Sequence, residues 1–230
     1  RGMNMDLYEV MRTTFAARAF VDEPVPDSVI QRILDNARFA PSGGNRQGWK
    51  VIVVREQATR EALVPLIQPT MQRYVAQVVA GESPWNTIHP TKLSDAEIAA
   101  IPPPDDLIRA VVGAPVVLLV FLDLACAASF DSELDRVGVI SGCSIYPFVW
   151  NILLAARNEG YGGTPTTFVA PEERALQELL GVPEQMAFAA LIPLGKPVKQ
   201  LTKLSRKPVE DFAVLERWDG PTLGPIQEEG

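Results

Sequence analysis

One run of residues, Ala114-Pro-Val-Val-Leu-Leu-Val-Phe-Leu122, restricts the folds open to this chain more than any other. From Pro115 to Leu122 no side chain is polar. A strand here can turn neither face to water, so the segment reads as a strand buried on both faces. It is too short to span a bilayer. A second strand is expected from Trp49 to Val54, which is rich in β-branched residues, and a last one from Met186 to Leu194.

Helical periodicity fills the intervals. Leu7, Val10, Met11 and Thr14 form one stripe behind a cap at Asn4 or Asp6, and Ile30, Ile33, Leu34 and Ala37 form another behind Asp27 or Ser28. Thr59 is expected to cap a helix that Pro65 and Pro69 interrupt, after which Met71, Tyr74, Val75, Val78 and Val79 continue helically. A short helix opens with the capping box Ser94-x-x-Glu97, and another carries Leu107, Ile108, Val111 and Val112. From Val137 to Asn158 apolar residues lie on every side. This predicts a helix buried nearly all round despite Pro147, placed centrally or between subunits. Gly160 to Thr167 is a glycine-rich exit into a short extended segment that Phe168 and Val169 continue. Pro171 to Leu180 reads as a helix that stops at Gly181. Strands separated by helices argue for an α+β or α/β chain in one domain. Between Gly81 and Pro104 the pattern breaks into an insertion or lid, whose Trp85 either closes over a ligand or pins its own loop.

Composition removes several function classes. The 230 residues carry a net charge of −7, and the pI near 4.9 argues against general attraction to nucleic acid or anionic membranes. No N-terminal signal is visible, Arg1-Gly2 ahead of Met3 reads as an appended remnant, and a soluble cytoplasmic protein is expected. Cys126 and Cys143 form no C-x-x-C pair and lie in or beside apolar segments, so buried reduced thiols are expected and no metal site. The single His89 weakens zinc and Ser-His-Asp readings further. A dinucleotide fingerprint is missing, because Gly160-x-Gly162 follows a helix and meets Pro165 where a third glycine is required.

Chemistry-bearing residues gather in a few stretches. In the loop Pro41-Ser-Gly-Gly-Asn-Arg-Gln47, Pro41 stops a helix and Gly43 and Gly44 permit dihedrals closed to other residues. Ser42, Asn45 and Gln47 supply hydrogen-bonding groups beside peptide N–H groups. Arg12, Thr13, Thr14 and Arg18 at one end of the chain, and Lys203 and Arg206 on a Pro-rich arm at the other, are cations and hydroxyls suited to a phosphate monoester. Taken singly, the same residues fit a helix C-terminus and a solvated arm better than a ligand site.

The order of these motifs resembles the FMN-dependent nitroreductase family from Tyr8 to about Arg206. Its R-R-S-x-R-x-F, P-V-P and A-P-S-x-x-N-x-Q-P-W elements correspond to Thr14-Phe-Ala-Ala-Arg18-Ala-Phe20, Pro24-Val-Pro26 and Ala40-Pro-Ser-Gly-Gly-Asn-Arg-Gln-Gly-Trp49. A G-x-G-x-x-W-like turn follows at Gly160-Tyr-Gly-Gly-Thr-Pro165, and an R-x-P element at Arg206-Lys-Pro208. Thr14, Phe15 and Ala16 replace the family's paired arginines and serine, and Gly48 replaces its proline. Arg12 with Thr13 or Thr14 is the substitute available one turn earlier.

The resemblance implies a single domain over 3–230, a three-layer α/β/α architecture of the α+β class with a mostly antiparallel sheet, and an intertwined homodimer. The arm from about residue 196 would wrap the partner. It implies non-covalent FMN, with Ser42, Gly43, Asn45 and Gln47 near its ring or ribityl chain. The backbone of Pro165, Thr166 and Thr167 would lie near its reactive edge, with Arg206, and Lys203 on the same arm, near the phosphate. No protein acid, base or nucleophile is then needed, since a flavin carries the chemistry. NAD(P)H would reduce the flavin, and an electron-poor small molecule, nitroaromatic or quinone, would be reduced in turn in a ping-pong cycle. A reductive dehalogenase or flavin-destroying relative, a flavin-sequestering protein, and an apolar-ligand carrier or assembly module without flavin are the competing readings.

Overall fold

The computed structural model of the protein describes residues 5–102 and 104–224. The chain runs α1 (Leu7–Thr13), α2 (Asp27–Ala37), β1 (Trp49–Val54), α3 (Gln57–Ala62), α4 (Val64–Val79), α5 (Asp95–Ala99), α6 (Asp105–Val112), β2 (Val116–Asp123), α7 (Tyr146–Asn158), β3 (Gly162–Gly163), α8 (Glu173–Leu180) and β4 (Met186–Gly195). The four strands form one sheet in the order β1-β2-β4-β3, and each adjacent pair is antiparallel.

Because successive side chains of a strand point to opposite faces, β2 sorts its own residues into two cores. Val116, Leu118, Val120 and Leu122 pack with α2 and α7 through Ile30, Ile33, Phe148 and Ile152. Val117, Leu119 and Phe121 pack on the other face with Leu63, Ile67, Met71, Val111 and Leu176. Both sets are buried, which makes the protein a three-layer α/β/α structure of the α+β class, as expected. Each fully buried Leu or Phe contributes about 1.5–3 kcal/mol, so this strand is a principal source of stability. Between Val120 and Phe121 the register shifts, leaving Ala189 as an extra residue on β4.

Several local expectations are met. Asp6 caps α1 by accepting from the N–H groups of Tyr8 and Glu9, whereas Asn4 lies outside the described residues. The Ser94/Glu97 capping box is complete, and Gly181 ends α8 in the left-handed conformation with φ 65°. Among the described residues no helix is long and apolar enough to cross a membrane.

Other expectations are corrected. Neither Asp27 nor Ser28 caps α2; Pro26 occupies the cap position, its carbonyl accepts from Val29 and Ile30, and Asp27 pairs with Arg55 at 2.6 Å. Thr59 lies inside α3, which starts at Gln57. The helical run does break ahead of Pro65, between α3 and α4 at Leu63, and Pro65 sits in the first turn of α4, where its missing N–H costs nothing. Pro69 does not interrupt, because the buried Ile67 and Met71 on either side hold the helix through it. The long apolar helix starts only at Tyr146, with Pro147 in its first turn and a 3-10 turn over Ser141–Ser144 before it. Nor is α7 buried all round: Trp150 and Tyr146 are exposed by 43% and 48%. Phe168 and Val169 do not continue a strand but turn into a 3-10 segment at Ala170–Glu172. Cys126 is half-buried and Cys143 is exposed, both as free thiols, because the segments that carry them are short 3-10 turns rather than core.

Candidate functional site

Residues 14–21 leave α1 in an extended path and join the sheet beyond β3. The Ala17 N–H donates to the Gly163 carbonyl at 3.1 Å, and Ala16 pairs with Gly163 in parallel. A Cβ on Gly162 would lie 2.9 Å from the Pro197 ring and 3.2 Å from Ala17, and one on Gly163 would lie 2.6 Å from the Pro193 carbonyl. The consecutive glycines therefore admit this close approach of backbones. The C-terminal arm packs on the outer side. Val21 N–H donates to Lys196 O at 2.9 Å, Val198 N–H to Ala19 O at 3.0 Å, and the Gln200 side-chain amide to Thr13 O at 3.0 Å. The residues from Arg12 to Arg18, the segment Pro165–Thr167 and the base of the arm thus meet along one edge of the sheet.

Within this cluster the side chains are unequally free. The Thr13 hydroxyl donates to Glu9 O at 2.7 Å and accepts from Arg157 Nε at 3.0 Å, and the Thr14 hydroxyl donates to Val10 O at 2.7 Å. Both hydroxyls turn back into α1. Arg12 is exposed with its guanidinium 5.9 Å from the Tyr8 ring centroid. Arg18 is exposed, donates to Ala16 O at 3.4 Å, and lines a cavity of about 400 Å³ together with Thr70, Tyr74, Trp85, Phe168 and Pro165–Thr167. Thr166 exchanges both backbone bonds with Leu191 at 2.8 Å. Pro165 has no N–H, so Thr167 carries the one backbone donor of the three that has no partner among the described residues. Lys203 and Arg206 are exposed farther along the arm, where Arg206 donates to Ser205 O at 2.7 Å.

The loop Ser42–Gln47 lies elsewhere. Its left-handed residues are Gly44 (φ 61°), Asn45 (φ 54°) and Gln47 (φ 51°), while Gly43 has no positive φ. Asn tolerates this region better than most residues, and the loop's own hydrogen bonds hold it there. Gln47 N–H donates to Ser42 Oγ at 3.0 Å, Asn45 N–H to Ser42 O at 2.9 Å, and Gly43 N–H to Ser144 Oγ at 3.1 Å. Asn45, Arg46 and Gln47 point their exposed surface outward. Gly48 is required by the same packing, since a Cβ there would lie 2.6 Å from the Cys126 Cβ. Next to it Trp49 stacks on Phe148 with centroids 4.7 Å apart. On this side of the protein an open apolar groove of about 810 Å³ runs past Ser141, Cys143, Tyr146, Trp150 and Phe188.

Strand register gives the separation between the two clusters. The loop enters β1 at Trp49, paired with Leu122, whereas Gly163 of β3 pairs with Leu194, which pairs with Val116. From Thr166, which bridges Leu191 opposite Leu119, three residues along β2 amount to about 10 Å, and three strand spacings across the sheet to about 14 Å. The two clusters lie at opposite edges of the sheet and on different faces, the cavity against α4 and the loop against Ser144 beside α7.

Sequence reasoning singled out Trp85 but missed Thr70, Tyr74, Phe168 and Ser144. Thr70 and Tyr74 are four apart on α4, a spacing that looked like ordinary helix continuation. Ser144 gave no signal, because its role depends on a loop 101 residues away. The segment holding Trp85 is braced by Glu82, whose carboxyl is kept below its ordinary range by hydrogen bonds from the Thr91 hydroxyl and the Lys92 N–H.

A model of the nitroreductase family matches residues 11–196. The chain is 28% identical to an NADH dehydrogenase of Thermus thermophilus over 84% of this chain and 87% of that protein. It is 26% identical to an iodotyrosine deiodinase of Nematostella vectensis over 92% of this chain and 75% of that protein. Among solved structures, an iodotyrosine deiodinase bound to FMN and 3-iodo-L-tyrosine superposes with a TM-score of 0.63 at 21% identity, covering 89% of this chain and 96% of that one. A glycine pair that lets α1's extension reach the sheet, an Asn-bearing left-handed loop ahead of β1 and a match over most of the length agree, and the chain belongs to the nitroreductase family.

Proposed function

We propose that this protein is an FMN-dependent oxidoreductase that uses NAD(P)H to reduce small electron-poor molecules, nitroaromatics and quinones first among them, by a ping-pong mechanism in the cytoplasm. The observation that carries the reading is the cavity where Arg18 meets Pro165–Thr167. It offers a cation, hydroxyls, aromatic walls and a free peptide N–H, and among its lining residues there is no carboxylate or histidine to act as acid or base. These residues fit a flavin mononucleotide. Arg206, Lys203 and Arg12 are exposed guanidinium and ammonium groups for a phosphate, while the hydroxyls of Thr13 and Thr14 are occupied within the fold.

When bound, FMN would supply a group that accepts hydride from NAD(P)H and passes two electrons to the acceptor. The chain's own residues bind and orient. Arg18 would stabilise negative charge on the bound group, the Thr167 N–H would donate to it, and Asn45 and Gln47 would supply polar contacts from the second cluster. Clusters at opposite edges and on different faces of the sheet complete one site when two chains contribute, which supports a homodimer with two interface sites. The exposed faces of α7 and the arm, with Trp150, Phe212 and Trp218 uncovered, support the same reading. Residues 81–104 serve as a lid over the cavity, and the arm from about 196 wraps the partner. Reductive dehalogenation is the second reading, favoured by the several iodotyrosine deiodinases among the similar proteins.

Denaturing the purified protein and identifying the released flavin tests the cofactor. Following NADH and NADPH oxidation with menadione, 4-nitrobenzoate and 3-iodotyrosine then separates the activities. Released FMN with rapid turnover of the first two acceptors is expected; FAD, or no flavin after reconstitution, overturns the reading.

A further inference from the structure

Trp85 is held in a backbone conformation that a bulky side chain rarely adopts. Its φ is 50°, a cost of about 1–3 kcal/mol that persists only where surrounding structure imposes it. Here the constraint is visible. Trp85 N–H donates to Gln77 Oε1 at 3.2 Å, and Gln77, 2% exposed, donates its Nε2 to Glu82 at 3.2 Å. Glu82 also accepts from the Thr91 hydroxyl at 2.6 Å and from Lys92 N–H at 2.8 Å, so both sides of the turn are tied to one carboxylate. The Arg73 guanidinium lies 4.2 Å from the centroid of the Trp85 ring. Arg73 Nε is buried and has no hydrogen-bond partner among the described residues.

An aromatic that only pinned its own loop would be expected to bury itself, yet Trp85 remains 40% exposed and lines the cavity of Arg18 and Thr167. Tyr74 and Phe168, in edge-to-face contact at 5.7 Å, line the same cavity. A backbone conformation imposed by the turn, a buried amide anchor and a guanidinium stacked on the ring all act to fix one indole beside that space.

We propose that Trp85 is the specificity-determining wall of the acceptor site and selects flat aromatic acceptors by stacking, with Arg73 and Gln77 as positioning residues that fix the plane of its ring. This rests on the oxidoreductase reading for the identity of the ligand as an acceptor, while the preference for flat rings rests on the cavity alone. An aromatic pair is worth about 0.5–1.5 kcal/mol beyond its buried area, so stacking corresponds to roughly a tenfold preference at most.

The test compares benzamide with cyclohexanecarboxamide, which share a substituent and differ in ring flatness, by ligand NMR titration of the flavin-loaded protein. Wild type should bind benzamide about five- to tenfold tighter. Trp85→Ala should erase the difference, Trp85→Phe should keep most of it, and Arg73→Met should reduce it while flavin content and melting temperature stay constant. Ile88→Ala, on the same segment but outside the cavity, should change nothing. In turnover with menadione, Trp85→Ala should raise KM with less change in kcat, and KM for ferricyanide, which has no ring to stack, should hold. Equal benzamide preference in wild type and Trp85→Ala overturns the proposal, even if NAD(P)H turnover is rapid. Absent turnover with an intact benzamide preference overturns the oxidoreductase reading and leaves the role of Trp85 standing.

Discussion

Arg157, buried in α7, donates its Nε to the Thr13 hydroxyl at 3.0 Å and so ties two helices that are 144 residues apart in the chain. The hydroxyl is simultaneously a donor to Glu9 O, which leaves it no proton to donate to a phosphate. Thr13→Val should therefore cost about 1.5–3 kcal/mol, because the buried guanidinium loses an acceptor. Urea denaturation reads this as a lower midpoint at unchanged slope. FMN affinity should stay within about threefold after correction for the unfolded fraction, whereas a direct phosphate ligand would lose more than tenfold.

Among the cations, the chemistry of the head group ranks the phosphate candidates. Arg206→Ala is expected to weaken FMN binding by about 10- to 100-fold, since a charge-assisted guanidinium contact is worth about 1.5–3 kcal/mol. Lys199→Ala, removing a solvated ammonium on the same arm, should cost less than about threefold. Fluorescence recovery of released flavin gives both constants. Arg12→Ala and Arg18→Ala decide how the chain compensates for Thr14, Phe15 and Ala16: a loss at Arg12 supports a phosphate site shifted by one turn, and a loss at Arg18 alone rejects it.

Light scattering at low micromolar concentration should give about twice the 25.1 kDa chain mass. Truncation after Val198 removes Gln200, whose amide bonds Thr13 O, and exposed apolar residues including Phe212 and Trp218. It is expected to lose dimer and flavin together. A monomer that binds FMN stoichiometrically would defeat the shared-site arrangement.

Asp131 makes a pH prediction. Its carboxylate, almost inaccessible, accepts from Val139 N–H, Arg136 and the Ser129 hydroxyl, and the Val139 bond foremost lowers its pKa from 3.8 to about 2. A carboxyl with a depressed folded-state value contributes stability that is fully present above its unfolded value and lost as pH falls through the folded one. Asp131→Asn should thus be less stable than wild type at pH 7, and the two should converge between about pH 4 and pH 2. Urea midpoints at pH 7, 4 and 2.5 check this, and a gap independent of pH would argue against the ionised carboxylate.

Local grammar made much of the fold legible. The uninterrupted apolar run of β2, the β-branched β1, the Ser94 capping box and Gly181 each carry their structural role in a few adjacent residues. The start of α7 was not legible, because whether Val137 and Val139 join the helix depends on Gly138, Gly142 and Pro147 together. The candidate site was readable as residue types but not as availability. Thr13 and Thr14 resemble phosphate ligands until α1 and Arg157 claim their hydroxyls, and Thr166 resembles a backbone donor until Leu191 pairs with it. Gly48 illustrates the same limit, since its necessity comes from Cys126, 78 positions on.

The placement of Asn45 and the base of Arg206's arm at opposite edges of the sheet has a genetic consequence. If each site takes its loop from one chain and its arm from the other, a chain damaged at Asn45 and a chain damaged at Arg206 are each inactive alone but complementary when mixed. A mixed dimer then concentrates both lesions in one site and leaves the other whole. Random reassociation makes half the dimers mixed, so roughly one site in four is restored from two dead parents. Selection on such a protein acts on pairs of alleles, not on single chains.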